Sequence, residues 1–289
     1  MNDQAEKLRY RIKRQLNGKN AKTIAFISGK GGVGKSNVSL NFSIALAQQG
    51  KRVLIFDLDI GMGNIDLLAG ITPNKTIAHY FMEDCPLDRI IEEGPEGIHF
   101  IAGGSGLDQF VKLDKSRIEY LIKELHWLLY EYDYLVFDIG AGMDEGLVQF
   151  LAFVEHIFVV VTPEPTSIMD AYSAIKYLYL QSPNINIHLM GNRMKNDREN
   201  METFERLLQA MDHFLQKDAE VIGFIPEDSQ VVHAVKMQIP FIIFKPNAQA
   251  SKKMKWLAYQ FLLNYEDDER AKKEPNQFID KLRSILIGR

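Results

Sequence analysis

The eight residues Gly29-Lys30-Gly31-Gly32-Val33-Gly34-Lys35-Ser36 constrain this chain more than any other segment. They follow the apolar run Thr23–Ser28 and precede an apolar periodicity through Val38, Leu40, Phe42 and Leu46. Strand, glycine-rich turn and helix in that order commit this part of the chain to a parallel sheet with a crossover helix. The spacing G-x-x-x-x-G-K-[ST] adds chemistry. Glycines let backbone N–H groups turn inward, and the helix start supplies free donors and the positive end of its dipole. The result is a cradle for the phosphates of a nucleoside triphosphate, with Lys35 reaching the β- and γ-phosphates and Ser36 placed on Mg²⁺. Asn37 completes the segment. Lys30, a second lysine in the loop, is less usual, and spacing alone leaves it open to being a solvated loop residue.

Further strands are expected at 53–57, 98–102, 134–138, 156–162, 186–190 and 220–225, several of them continuously apolar as strands covered on both faces are. Helical patterns fall near 36–49, 114–130, 166–181, 199–216 and 249–264. This alternation predicts an α/β fold with a doubly wound, mostly parallel sheet and helices on both faces, with ligands at the carboxyl ends of the strands. A chain of 289 residues with 46% apolar content can bury such a core as one domain, expected at 23–265.

Carboxylates close two of the strands. Asp57 is followed by Asp59 in the glycine-punctuated Asp57-Leu-Asp59-Ile-Gly61-Met-Gly63-Asn64, and Asp138 ends Tyr134-Leu-Val-Phe-Asp138. An apolar strand ending in Asp beside a phosphate loop is the arrangement that holds Mg²⁺, so Ser36, Asp57 and Asp138 are the metal candidates. A strand-end Asp is also suited to capping the next helix.

The termini differ from the body. Residues 1–22 carry seven basic and two acidic side chains, +5, so on a chain of net −4 the remainder carries −9. A basic arm on an acidic body reads as a detachable contact element or as a solvated leader. The charged stretch 266–275 resembles a linker. Beyond it Phe278, Ile279, Leu282, Ile285 and Leu286 share one helical face, a segment (266–289 with its linker) suited to a membrane surface or to packing on its own domain. Five such side chains offer roughly 1.5–3 kcal/mol each when fully buried. Ordering costs about 1 kcal/mol per residue, so one copy binds a bilayer marginally and a pair binds by avidity. No apolar run is long enough to span a bilayer and no secretory leader is evident, which favours a cytoplasmic setting with peripheral contact to the inner membrane face. The single cysteine, Cys85, excludes a disulfide framework and a CxxC metal site within one chain.

Lys30 together with the Asp59 loop resembles the MinD/ParA family of deviant Walker A ATPases, the SIMIBI class, over roughly residues 22–265. The resemblance implies an ATP- and Mg²⁺-dependent ATPase that dimerises around two nucleotides. Lys30 would act across the dimer on the partner's nucleotide, and Asp59 would orient the attacking water. It implies adenine-binding roles for Asn192, Arg193, Pro226 and Glu227, with Glu164 and Asp170 at the dimer interface. Lys30, Lys35 and Asp59 are therefore the catalytic candidates. Gly63, where MinD proper tends to have arginine, is closer to the flagellar FlhG (FleN/YlxH) branch. The leader residues Asp3, Gln4, Ala5, Leu8 and Arg9 resemble the D-Q-A-x-x-L-R element that activates the signal-recognition-particle-type GTPase FlhF. The branch implies regulation of flagellar number and placement, with switch-complex proteins such as FliM and FliN/FliY as partners. Cell-division or DNA-partitioning ATPases of the same family are the alternative, although an acidic body makes nucleic acid an improbable ligand. Iron–sulfur carriers need paired thiolates that Cys85 alone cannot supply.

Overall fold

The computed structural model describes residues 12, 20–59, 63–82, 85–103, 115–140, 142, 145–183, 185–265, 279–280 and 282–283. Eight strands form one sheet: β1 (Lys22–Ile27), β2 (Val53–Leu58), β3 (Glu92–Glu93), β4 (His99–Ile101), β5 (Tyr134–Ile139), β6 (His156–Val161), β7 (Ile187–Met194) and β8 (Glu220–Pro226). Their order is β3-β4-β2-β5-β1-β6-β7-β8, and every pairing is parallel except the short β3 with β4. The strand that feeds the glycine loop is thus central, between β5 and β6.

The helices are α1 (Lys35–Gln48), α2 (Ile65–Ala69), α3 (Ile77–Met82), α4 (Lys115–Glu131), α5 (Glu145–Leu151), α6 (Pro165–Gln181), α7 (Asp197–Leu215), α8 (Ser229–Lys236), α9 (Phe241–Phe244) and α10 (Gln249–Tyr265). The five long patterns expected from the sequence correspond to α1, α4, α6, α7 and α10. Short α2, α3, α5, α8 and α9 escaped it, because one or two turns give too few apolar positions to establish a period.

Two apolar layers explain the continuous hydrophobic strands. Ile24 and Phe26 of β1 enter a core beneath α1, α8, α9 and α10, while Ala25 and Ile27 face the opposite core beneath α4, α5, α6 and α7. In the first, Phe26 and Phe158 stack and Phe42 meets them edge-on and tilted, with centroids 4.9–5.6 Å apart, fixing α1 on the sheet. Helix α1 is enclosed to the point that Ser39, Asn41 and Ser43 are buried; Asn41 accepts the Ile242 N–H at 3.0 Å, tying α9 to it.

At the amino-terminal edge of the sheet the Lys22 ammonium donates to the Tyr265 carbonyl, so β1 begins where α10 ends. Of the two surfaces open to the tail, Ile279 and Leu282 take their own domain here, buried in the core layer of α4–α7. Asp280 stands near enough to His126 of α4 to oppose the lowering that burial imposes on the imidazole. Packing on its own domain is therefore the reading these two residues support in this structure. Tyr265 packs against the other layer. Phe278, Ile285 and Leu286, like Asp3, Gln4, Ala5, Leu8 and Arg9, lie outside the described residues.

Candidate functional site

Helix α1 starts from Gly34 at φ 88°, a left-handed conformation that glycine adopts without strain, and Gly32 lies at φ 78°. Gly29 has a different reason to lack a side chain. A Cβ there would stand 2.1 Å from the backbone carbon of Asp170, so α6 seats its backbone directly on the loop. Nothing lies within 4 Å of the equivalent position on Gly31.

Inside the loop Lys35 is buried and its ammonium meets Asp138 Oδ1 at 2.8 Å, with Ser36 Oγ at 3.2 Å. Ser39, one turn along α1, donates to the same Asp138 oxygen at 3.0 Å. Asp138 Oδ2 is buried without a hydrogen-bond partner. A fully buried carboxylate oxygen left over beside Ser36 is the donor a hard divalent cation, or a water bound to one, would take. Ser36 and Asp138 therefore fit Mg²⁺.

Asp57 lies opposite Asp138 in the β2–β5 register but is used differently. Its Oδ1 accepts the Asp59 N–H at 3.1 Å, and its Oδ2 accepts those of Asn64 and Ile65 at 2.9 and 3.1 Å. It therefore caps the start of α2, the role open to any strand-end Asp, with both of its oxygens already accepting backbone N–H groups. Burial, with the Asp138 carboxylate opposite, pushes its pKa from 3.8 up to about 6, against the backbone donors and Lys35. The unfolded chain ionises this group near its ordinary value, so between about pH 4 and 6 the native state binds the extra proton. Stability accordingly falls as pH rises through that window, by about 3 kcal/mol in all. Urea unfolding of the apoprotein across this range should show the decline, and Asp57→Asn should flatten it.

Asp59 is half-buried and belongs to the same electrostatic group: burial raises its carboxyl, Lys35 pulls it down and Asp138 pushes it up. Lys30 points elsewhere. Its exposed ammonium hydrogen-bonds Thr166 Oγ1 at 3.2 Å, at the start of α6. Nearby Glu164 is held below its usual range mainly by a hydrogen bond with Thr162, with help from Arg193 and Lys30. Met169, one turn beyond Thr166, is 63% exposed. The Asp170 backbone forms the seat under Gly29.

The four segment residues from the two last strands do come together. Met194 pairs with Pro226 in the β7–β8 register, and Glu227 N–H donates to Met194 at 2.8 Å. Asn192 reaches the glycine loop itself, donating to the Val33 carbonyl at 2.8 Å. Arg193 follows at φ 59°, a left-handed conformation uncommon for a residue with a side chain.

A family model described as ParA, the NUBPL iron-transfer P-loop NTPases, matches residues 19–262. The chain belongs to the ParA/MinD family of P-loop NTPases. Its relatives include the antiactivator FleN of Pseudomonas aeruginosa, 35% identical over 235 residues that cover 81% of this chain and 84% of FleN. The flagellum site-determining protein YlxH of Helicobacter pylori is 33% identical across 75% of this chain and 74% of its own. Among solved structures, MinD of Pyrococcus horikoshii with Mg-ADP superimposes with a TM-score of 0.68 at 25% identity, covering 88% of this chain and 99% of that one. For this ParA/MinD-family chain the FleN and YlxH identities support the FlhG branch.

Proposed function

We propose that this protein is an ATP-hydrolysing switch that dimerises around two nucleotides, contacts the membrane peripherally and regulates the number and placement of flagella. The observation that carries it is Lys30: exposed, tethered to Thr166 and directed away from the Lys35–Asp138 pair. A loop lysine that takes no part in its own site is suited to a partner's phosphates, with Met169 offering apolar surface to the same contact.

Bound Mg²⁺ would offset charge on the phosphates, held through Ser36 and the free oxygen of Asp138. Lys35 exchanges its bond to Asp138 for the β- and γ-phosphates, and Asp59 orients the attacking water. Asn192 links the base-binding segment to the loop through Val33. YlxH, a flagellum site-determining protein, supplies the flagellar reading by name. In that branch the leader around Asp3–Arg9 would stimulate an FlhF-type GTPase, and FliM and FliN/FliY would be cargo. Burial of Ile279 and Leu282 suits a tail that is withheld in the monomer and released in the dimer, where two copies bind a bilayer by avidity.

Lys30→Ala tests the reading, because it leaves the loop backbone and the Lys35–Asp138 pair in place. ATP should still bind, while the rise in mass seen by light scattering on adding ATP should disappear. A variant that dimerises like the parent contradicts a role across the interface.

A further inference from the structure

Residues 229–265 contain five lysines, Lys236, Lys245, Lys252, Lys253 and Lys255, and no aspartate or glutamate, in a chain of net charge −4. The stretch is α8, α9 and α10, which pack on one another and on the same side of the sheet. Their inward residues, among them Ala234, Phe241, Met254, Leu257 and Phe261, are buried. Their outward ones are unusually apolar. Val232, Val235, Met237 and Ile239 are exposed around α8, and Trp256, Tyr259 and Leu263 recur along one side of α10 at 46, 46 and 60% exposure. Lys253 lies 4.3 Å from the Trp256 ring centre and 5.1 Å from that of Phe224 on β8, holding the indole against the sheet edge. Acids bound the stretch at both ends, Asp228 and Glu266; Asp228 is turned inward to the N–H groups of Gln230 and Ala250 at the starts of α8 and α10, and Glu220 of β8 accepts the Tyr265 hydroxyl.

We infer that this face is a second membrane contact, separate from the tail, that takes the anionic headgroup layer of a bilayer. Two features select lipid over other polyanions. The exposed aliphatic side chains have no use against a phosphodiester backbone but gain by entering the acyl boundary, and tryptophan and tyrosine favour that boundary. The cations are all lysines, which snorkel to headgroups, with no arginine fork of the kind that reads nucleic acid. The face adjoins the departure point of the tail at Tyr265, so a released tail and this surface can lie on one bilayer. The inference extends the membrane reading above but does not depend on the tail.

The test is sedimentation of the full chain with phosphatidylcholine vesicles, with and without phosphatidylglycerol, at low ionic strength. The comparison is with the triple variant Lys245→Gln, Lys252→Gln, Lys255→Gln, which spares the Lys253–Trp256 packing. The parent should bind the phosphatidylglycerol vesicles preferentially, and the variant should bind them on the order of 30- to 100-fold more weakly. Its melting temperature and ATP turnover should remain those of the parent, and Arg at the three positions should restore binding. A parent that binds while the variant binds equally well overturns the second contact and leaves the tail reading standing. Equal parental binding to phosphatidylcholine alone overturns the headgroup assignment. A parent that binds neither vesicle overturns the second contact. Loss of binding to a DNA duplex in the variant, with vesicle binding unchanged, assigns the face to nucleic acid and overturns the inference.

Discussion

Gly29→Ala should destabilise the protein by about 3 kcal/mol or more, whereas Gly31→Ala, two residues away in the same loop, should leave the apoprotein within about 0.5 kcal/mol of the parent. The added methyl at position 29 would sit 2.1 and 2.3 Å from the carbonyl carbon and oxygen of Asp170 and 2.5 Å from the nitrogen of Ala171. All three are backbone atoms in the first turns of α6, with no flexible end to rotate aside. Relief requires α6 to lift from β1, opening the layer that contains Ile168, Ala171 and Ile175. Because Thr166 moves with α6, the variant should also lose nucleotide affinity and the seat for Lys30. Thermal unfolding and nucleotide titration of the two alanine variants side by side check this. Equal melting temperatures would mean that α6 is not seated on Gly29.

Asp138→Asn should cost about 3–5 kcal/mol and abolish Mg²⁺-dependent nucleotide binding together. Lys35 is 6% exposed and Asp138 fully buried, so removing the carboxylate charge strands an ammonium that water cannot reach. Ser39 loses its charged acceptor as well. Lys35→Met in the Asp138→Asn background should recover much of the stability, since the stranded charge goes with it, but none of the binding. Denaturant unfolding of the single and double variants measures that recovery. A single variant as stable as the parent would show that Lys35 finds another partner.

How far the sequence could be read depended on how many structures a given pattern allows. Strands such as Leu54–Phe56 and Val159–Val161 have few alternatives, because an apolar run bounded by turns, repeated through a chain with helices between, has to be covered on two faces. The glycine loop was legible for the same reason. Asp57 and Asp138 were not separable: both end apolar strands, and only the chain after them decides which is drawn to backbone N–H groups and which keeps an oxygen for a ligand. Asn64 and Ile65 turn into α2 directly above Asp57, a five-residue helix with too little pattern to be foreseen. The tail shows a deeper ambiguity. The period that suits Ile279 and Leu282 to a bilayer is the one that suits them to α4, and sequence does not say which apolar surface is nearer. The acid-free run 229–265 was plain in the letters, yet it took on meaning only when three helices proved to share a face.

The contact between Lys22 and Tyr265 fixes a common origin for the two ends of the chain. Residues 266–278, fully extended, span at most about 45 Å, and the residues before β1 at most about 75 Å. Whatever one end holds is thereby kept within the summed length of the two segments of whatever the other end holds. A fluorescent or affinity fusion at either terminus intrudes on that shared volume. An insertion in an exposed loop on the far side of the sheet would leave it clear.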